Sequence, residues 1–469
     1  MHKVTLFLAI GCFLLGSSGS ELQAEQKVLG IQQCIQIALR QNSQLRNAER
    51  RVRIAGAGVT SAWSFILPVV NSSFSGTRTY QSEQGPFLQE IPVGIDPVTG
   101  KMIIMQKEVV LESYYRNTYS GSISLSQNIF DGGQWWNRIK QANAEYRAAE
   151  YDYHAIKQAV ITEVTQKYFE LLKAIKLEKV YQKAAELAKE QLKKTQSMYE
   201  VGVAAQVDVY KAQVSLGTEQ INLIQQRNRV DIARSNLNVV LGRSPGSPLE
   251  IADEEIELEP FTLTLEDAIR IAVQNNPEVM SYQENLRGSD FGVKVAKGNY
   301  WPKLRLNLSY GRFNTLLERF YKGLDRNYQV SGSLSLSFNI FNGFQTRAAV
   351  EQASVNYAIA KENLLEKQRA VQMQVEQAYL NLKAYQQIAR INEQNLKSAE
   401  EDLRLAQESY KIGSGTLLEV IDAQVALTRA RTILVGTKYD GLIALVQLYS
   451  AMGTIESKLQ KVFQQLNVE

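Results

Sequence analysis

Hydrophobic and polar positions along this chain follow two rhythms, and each rhythm occurs twice. From Gly132 to Tyr199, apolar and small residues recur at helical spacing: Val160, Val164, Tyr168, Leu171, Leu172, Ile175, Val180, Ala184, Leu187, Ala188 and Leu192. No proline interrupts this stretch, and no glycine follows Gly133 within it. The pattern returns from Gln345 to Tyr410. At about 1.5 Å per residue, each stretch predicts a helix on the order of 100 Å long. Helical patterning resumes after Gly202 and after Gly413, and stops at Gly242 and Gly453. Tyr199-Glu200-Val201-Gly202 and Tyr410-Lys411-Ile412-Gly413 therefore predict tight helix–helix turns with a left-handed glycine. The second rhythm is alternation. Leu304, Leu306, Leu308 and Tyr310 take one face, with Arg305, Asn307 and Ser309 on the other. In Ser333–Ile340, serines and Asn339 oppose Leu334, Leu336, Phe338 and Ile340; Ile123, Leu125 and Ile129 oppose Ser122, Ser124, Ser126 and Asn128 in the same way.

These rhythms recur because the chain is a tandem duplication. Residues 120–134 and 331–345 are identical at 11 of 15 positions, at a spacing of 211. The register holds onward through Tyr168/Tyr379, Tyr199/Tyr410, Gly202/Gly413 and Gly242/Gly453. Upstream, Ile35/Ile269, Ala38/Ala272, Asn42/Asn276 and Pro68/Pro302 lie 234 apart, so the first copy carries 23 extra residues between Pro68 and Ser120. A repeat this long is two copies of one unit rather than a short solenoid repeat. The expected organisation is a first repeat over 25–242, an acidic linker over 243–261, a second repeat over 262–453, and a helical tail over 454–469. The linker holds Glu250, Asp253, Glu254, Glu255, Glu257 and Glu259 among Pro245, Pro248 and Pro260. The insertion, roughly Gln81 to Glu112, holds Pro86, Pro92, Pro97 and Gly100 and predicts an extended loop.

Composition narrows the function. Met1-His2-Lys3, an apolar run from Val4 to Leu15 and a small-residue exit through Ala24 predict a signal peptide over 1–24. A lipid anchor at Cys12 would require Ala9-Ile10-Gly11-Cys12 to serve as a lipobox, and the apolar core continues past it. The chain has two cysteines and two histidines, so neither a metal cluster nor a Ser-His-Asp arrangement can be assembled from them. His154 sits in a helical, polar surround; Gly56-Ala57-Gly58 lacks the preceding strand of a dinucleotide site. No catalytic, cofactor or metal site is expected. A net charge of +4 with no basic block gives nucleic acid no footing.

The alternating stretches admit two readings: a two-faced sheet over a soluble core, or strands of a transmembrane barrel with apolar residues toward lipid. A signal peptide and two giant hairpins favour the second. Trp63, Phe65, Tyr114, Tyr115, Tyr119, Tyr300, Trp301 and Tyr328 would then form interfacial girdles. Four strands per chain cannot close a barrel, and open edges are not tolerated in lipid, so the chain must oligomerise.

Across nearly its whole length past residue 24 the chain resembles the TolC-like outer-membrane efflux proteins. The likeness rests on the duplicated unit, on Asn128-Ile129-Phe130-Asp131-Gly132-Gly133 and Asn339-Ile340-Phe341-Asn342-Gly343, and on the stretch from Tyr410 to Gln424. It implies a mainly α fold with a transmembrane β part: a homotrimer with a 12-stranded β-barrel in the outer membrane, continued by a 12-helix barrel in the periplasm. It also implies a periplasmic adaptor and an inner-membrane efflux pump or ABC exporter as partners. The conduit would export small toxic compounds or, alternatively, proteins, without enzymatic chemistry. By the same resemblance, Glu419 and Asp422 match an acidic pore constriction, and their spacing of three places them on one helix face. Tyr410 and Asp208 match a pair that holds the entrance shut. A basic residue of that lock falls at Gly415, and Lys211, equivalent to Asp422, is a substitute partner for Glu419 or Asp422. Gly202 and Gly413 are the expected adaptor-docking tips. A structural coiled-coil envelope protein is the reading from another class; the duplicated strand stretches are what it leaves without a purpose.

Overall fold

A computed structural model describes residues 28–253, 261–322 and 325–458. The expected signal peptide, part of the acidic linker and most of the tail lie outside the described residues.

The duplication is visible element by element. Helices α1 (Ile31–Gln41) and α2 (Ser43–Ser64) lead into strands β1 (Val69–Gln81), β2 (Gln84–Ile95), β3 (Met102–Leu111) and β4 (Tyr114–Phe130). Then come α3 (Gln134–Glu200) and α4 (Gln206–Val240). The second copy has α5 (Leu265–Asn275), α6 (Pro277–Lys297), β5 (Lys303–Asn314), a short α7 (Leu317–Tyr321), β6 (Tyr328–Ser337), α8 (Gln345–Lys411) and α9 (Leu417–Ala451). Both α3 and α8 have 67 residues, and both α4 and α9 have 35. None of the described helices is long and apolar enough to cross a membrane. That is expected of rods whose faces mix small, polar and apolar residues, and it leaves a β-barrel untouched.

Each long helix starts at the strand-to-helix junction for an identifiable reason. In the first copy Asp131 Oδ2 accepts the Trp135 N–H at 3.0 Å, satisfying one orphan donor of the first turn. In the second, Asn342 Oδ1 accepts from Thr346 N–H, its equivalent, at 3.5 Å. The turn also demands a left-handed residue. Gly133 provides it at φ 78°, and its counterpart Phe344 adopts φ 67° despite its side chain.

The main sheet runs β1-β4-β5-β6, all antiparallel, so the two copies meet at β4–β5 and leave β1 and β6 as edges. Its register sorts side chains cleanly. Val70 lies opposite Leu125, Leu125 opposite Leu308, Ile123 opposite Tyr310, Leu306 opposite Leu334 and Leu304 opposite Leu336, giving one apolar face. The other face is a serine ladder, with hydroxyl pairs Ser73–Ser122 at 2.9 Å, Ser75–Ser120 at 2.7 Å and Ser309–Ser331 at 2.7 Å. Tyr310 and Tyr328 stack at 5.8 Å near the end distant from the helices, and Arg78 lies over the Tyr115 ring at 4.6 Å. At the helical end, Trp63, Phe65, Tyr300 and Trp301 are exposed.

Two expectations are corrected. The second-copy alternation was expected to run as strand to Ile340, but β6 ends at Ser337. Its partner β5 begins at Lys303, opposite Ser337, so residues beyond have nothing to pair with in one chain; β4 continues to Phe130 because β5 pairs with it as far as Leu304. The insertion between Gln81 and Glu112 is not a loop but a hairpin, β2 against β3, closed by a turn at Asp96–Lys101.

Two cores knit the helices. One gathers Ile31, Cys34 and Ala38 of α1 around Val164, Tyr168 and Leu171 of α3, with Leu237 of α4 and Leu442 and Val446 of α9. The other sets Ala268 and Ala272 of α5 against Val371, Val375 and Leu382 of α8 and Leu448 of α9. Helix α9 contributes to both and so joins the halves. The start of the acidic linker is tied down here. Leu29 N–H donates to Glu250 O at 2.9 Å, the Tyr168 hydroxyl donates to Ala252 O at 3.1 Å, and Asp253 is clasped by Lys176 and Lys179 of α3. The hydrogen bonds from those two lysines hold the Asp253 carboxyl below its ordinary pKa. Its contribution to folding is therefore present at neutral pH and lost as pH falls through that lowered value.

Candidate functional site at the hairpin tips

The two α-hairpins end in the same backbone motif. In the first, Gly202 N–H donates to Tyr199 O at 2.9 Å and Val203 N–H to Met198 O at 2.8 Å. In the second, Gly413 N–H donates to Tyr410 O at 3.2 Å and Ser414 N–H to Ser409 O at 3.0 Å. These paired bonds satisfy the last carbonyls of α3 and α8 and require a left-handed residue, which the glycines supply at φ 79° and 77°. A Cβ at either glycine would meet nothing within 4 Å, so the tips are open to a partner.

The return helices differ. Helix α9 begins with a capping box: Thr416 Oγ1 accepts the Glu419 N–H at 3.3 Å, and Glu419 Oε2 accepts the Thr416 N–H at 3.0 Å. In the first copy Ala205 stands where Thr416 does, and α4 has no side-chain cap. Glu419 therefore has a job within its own helix, legible in the sequence as Thr416-Leu417-Leu418-Glu419. The same carboxylate fills the space beside Gly415, where a Cβ would come within 3.0 Å of both Glu419 Oε2 and Ser409 Cβ. The absent basic residue and the capping carboxylate thus occupy one place.

Asp422 is exposed one turn on, while Val420, Ala423 and Leu427 of the same turns are buried against Leu403. Asp208 faces Lys211 on its own helix at 3.9 Å. Tyr410 packs beside Val420 and Ala423, and its buried hydroxyl has no hydrogen-bond partner among the described residues. Within one chain, then, neither Tyr410 with Asp208 nor Lys211 with Glu419 or Asp422 is brought together. Between the hairpins, Val207, Tyr210 and Val214 of α4 face Ile421 and Val425 of α9 across a groove of about 490 Å³, and sequence reasoning had not singled out this groove. Its signal was present as apolar residues at helical spacing on an otherwise polar helix.

The comparisons with known proteins meet this geometry at family level. The model of the family described as outer membrane efflux protein matches residues 34–243 and 268–454. The outer membrane protein TolC of Vibrio cholerae is 23% identical over 402 residues, covering 85% of each chain. The alkaline protease secretion protein AprF of Pseudomonas aeruginosa is 25% identical over 347 residues, covering 72% of this chain and 70% of that one. Among solved structures, the Campylobacter jejuni CmeC outer membrane channel superposes with a TM-score of 0.76 over 98% of this chain and 97% of that one, at 18% identity. The chain belongs to the outer membrane efflux protein family. It is a channel of the outer membrane that extends into the periplasm, not an enzyme. Channels of this family act as trimers with a periplasmic adaptor and an inner-membrane pump or ABC exporter.

Proposed function

We propose that three copies close into one continuous duct, β1 of each pairing with β6 of the next. With four strands per chain in the main sheet this gives a 12-stranded barrel, and the paired helical hairpins continue it as a 12-helix tube. The observation that carries this reading is a sheet with two open edges, an apolar face and a serine face, rooted on hairpins about 100 Å long. In lipid such a sheet is stable only when closed, with its apolar face outward. The 13 residues of β1, tilted by about 45°, cover roughly 30 Å of membrane normal, enough for the apolar band of an outer-membrane barrel.

The duct passes cargo handed over by an inner-membrane transporter and a periplasmic adaptor, and that cargo is small toxic compounds. The relationship to the AprF secretion protein supports protein export as the second reading. Conductance of the purified protein in planar bilayers tests the duct, since a structural stalk would carry no current. Deleting the gene tests the cargo. Efflux predicts greater sensitivity to small toxic compounds with an unaltered set of secreted proteins, and secretion predicts the reverse.

The adaptor meets the hairpin tips and the apolar groove beside them. Gly413→Val should cut efflux at least fivefold while leaving the trimer in place. The open surroundings of the tip confine the cost to backbone strain of about 1–2 kcal/mol at one exposed turn. Loss of the trimer itself, seen on unheated gels, would mean that the glycine serves folding alone.

A further inference from the structure

We propose that the β2–β3 hairpins of three copies pack face against face into a collar over the outer mouth of the pore. The idea rests on the trimeric duct above and goes beyond it, because nothing in that duct needs the hairpin: the second copy of the unit lacks it and turns back through the short α7.

The hairpin is a continuation of the barrel ladder. The β1–β4 pairing ends with Gln81 opposite Tyr114, and the β2–β3 pairing starts with Gln84 opposite Leu111. Only Ser82-Glu83 and Glu112-Ser113 separate the two, so the hairpin stands on the strand pair whose outer member, β1, forms the edge between copies. From that base, 12 residues of β2 reach about 40 Å further, well clear of the lipid. A two-stranded hairpin alone in water is marginally stable at best.

Its side chains are those of a buried element. In the distal half, Ile91 and Met105 are directly opposite one another, with Ile103 next along the same face. The reverse face carries Pro92 opposite Ile104 and Ile95 opposite Met102. Ile95, Met102, Ile103, Ile104 and Met105 are all half exposed or more in the single chain. The turn beyond them is polar and well built, with Asp96 accepting from the Val98 N–H at 2.9 Å and from the Thr99 hydroxyl. Charged and amide residues return nearer the base, where Gln89 faces Lys107 and Glu90 faces Gln106.

An apolar band on both faces selects the occupant. Lipid or a single docked partner would need one apolar face and leave the other polar. Where the twist of a two-stranded ribbon turns each hairpin edge-on to the axis, each copy meets one neighbour with one face and the second neighbour with the other, so both must be apolar. Pro86 and Pro92 lie on β2 and interrupt the donor row along its outer edge. Contact between copies is therefore made by side-chain packing rather than by an extended ladder.

Disulfide trapping tests the collar. Ile103→Cys and Ile104→Cys, placed together on opposite faces, should convert the assembled channel under mild oxidation to a covalent trimer on denaturing gels. Each single substitution should give far less. Cys34 is buried in the helical core and stays out of the reaction. In a second arm, residues 84–111 are replaced by a two-residue turn, and single-channel conductance should at least double. Native gels of every variant report whether the trimer forms. A native trimer that gives no covalent product, or a shortened channel with unchanged conductance, overturns the collar. Absence of any native trimer, in the parent chain as well, overturns the duct on which it stands.

Discussion

Leu336→Arg is expected to remove most of the assembled trimer from the outer membrane, at least tenfold, while Ser333→Arg three residues away leaves it nearly intact. Both positions lie on β6 and are exposed in the single chain. They differ in the face they occupy. Leu336 is opposite Leu304 in the apolar layer, whereas Ser333 is opposite Asn307 on the serine face. An arginine on the lipid face costs about 2–4 kcal/mol at the midplane and up to about 1 kcal/mol toward the helical end, where Leu336 lies, and threefold symmetry imposes that cost at three sites around the barrel. On the serine face the same charge enters water. Quantifying the heat-modifiable trimer in outer-membrane fractions reads the difference directly. Equal losses from both variants would overturn the assignment of faces.

The elements that were legible in the sequence are those whose signal is local and repeated. The αα-hairpins follow from unbroken helical spacing between punctuating glycines, and the offset of 211 places Gln134 and Gln345 at equivalent helix starts. The serine ladder follows from alternation in Ser331–Ser337 and Ser120–Ser126. The insertion was misjudged because Pro86, Pro92, Pro97 and Gly100 signal breaks, while the pairing of Phe87 with Val109 and of Ile91 with Met105 is a contact between segments that neither segment announces alone. The early end of β6 has a similar origin. Phe338 and Ile340 carry strand alternation, but a strand needs a partner, and the partner's first residue lies opposite Ser337.

Long-range polar contacts were illegible for a comparable reason. Asp253 reads as one of several linker acids, yet it alone among those described is held by two lysines, 74 residues or more away in sequence. At the tip, position and chemistry separated. Glu419 and Asp422 are both exposed on α9 as their spacing implies, but the capping box gives Glu419 a local partner that Asp422 lacks. Tyr410 and Asp208 stay apart because each is engaged within its own hairpin, Tyr410 beside Val420 and Ala423 and Asp208 facing Lys211. The buried Tyr410 hydroxyl, without a hydrogen-bond partner among the described residues, is the group to follow when a second copy is present.

That separation sharpens the test of the periplasmic entrance, where three copies of Glu419 and Asp422 are proposed to ring the axis. Glu419→Gln combined with Asp422→Asn removes six negative charges from the trimer and keeps the backbone intact, because glutamine can close the capping box as glutamate does. The reversal potential across a salt gradient should move toward zero by about half or more, and block by multivalent cations added from the periplasmic side should disappear. The two single variants divide the effect. Asp422→Asn should account for most of it, since the Asp422 carboxylate is exposed, whereas that of Glu419 is turned back onto the Thr416 N–H at 3.0 Å. Raising the salt concentration should shrink the differences among all four channels, as expected when fixed charges act on ions through a screened field. Wild-type reversal potentials in the double variant would return both carboxylates to the helix surface, leaving Glu419 as a cap and Asp422 as a solvated acid.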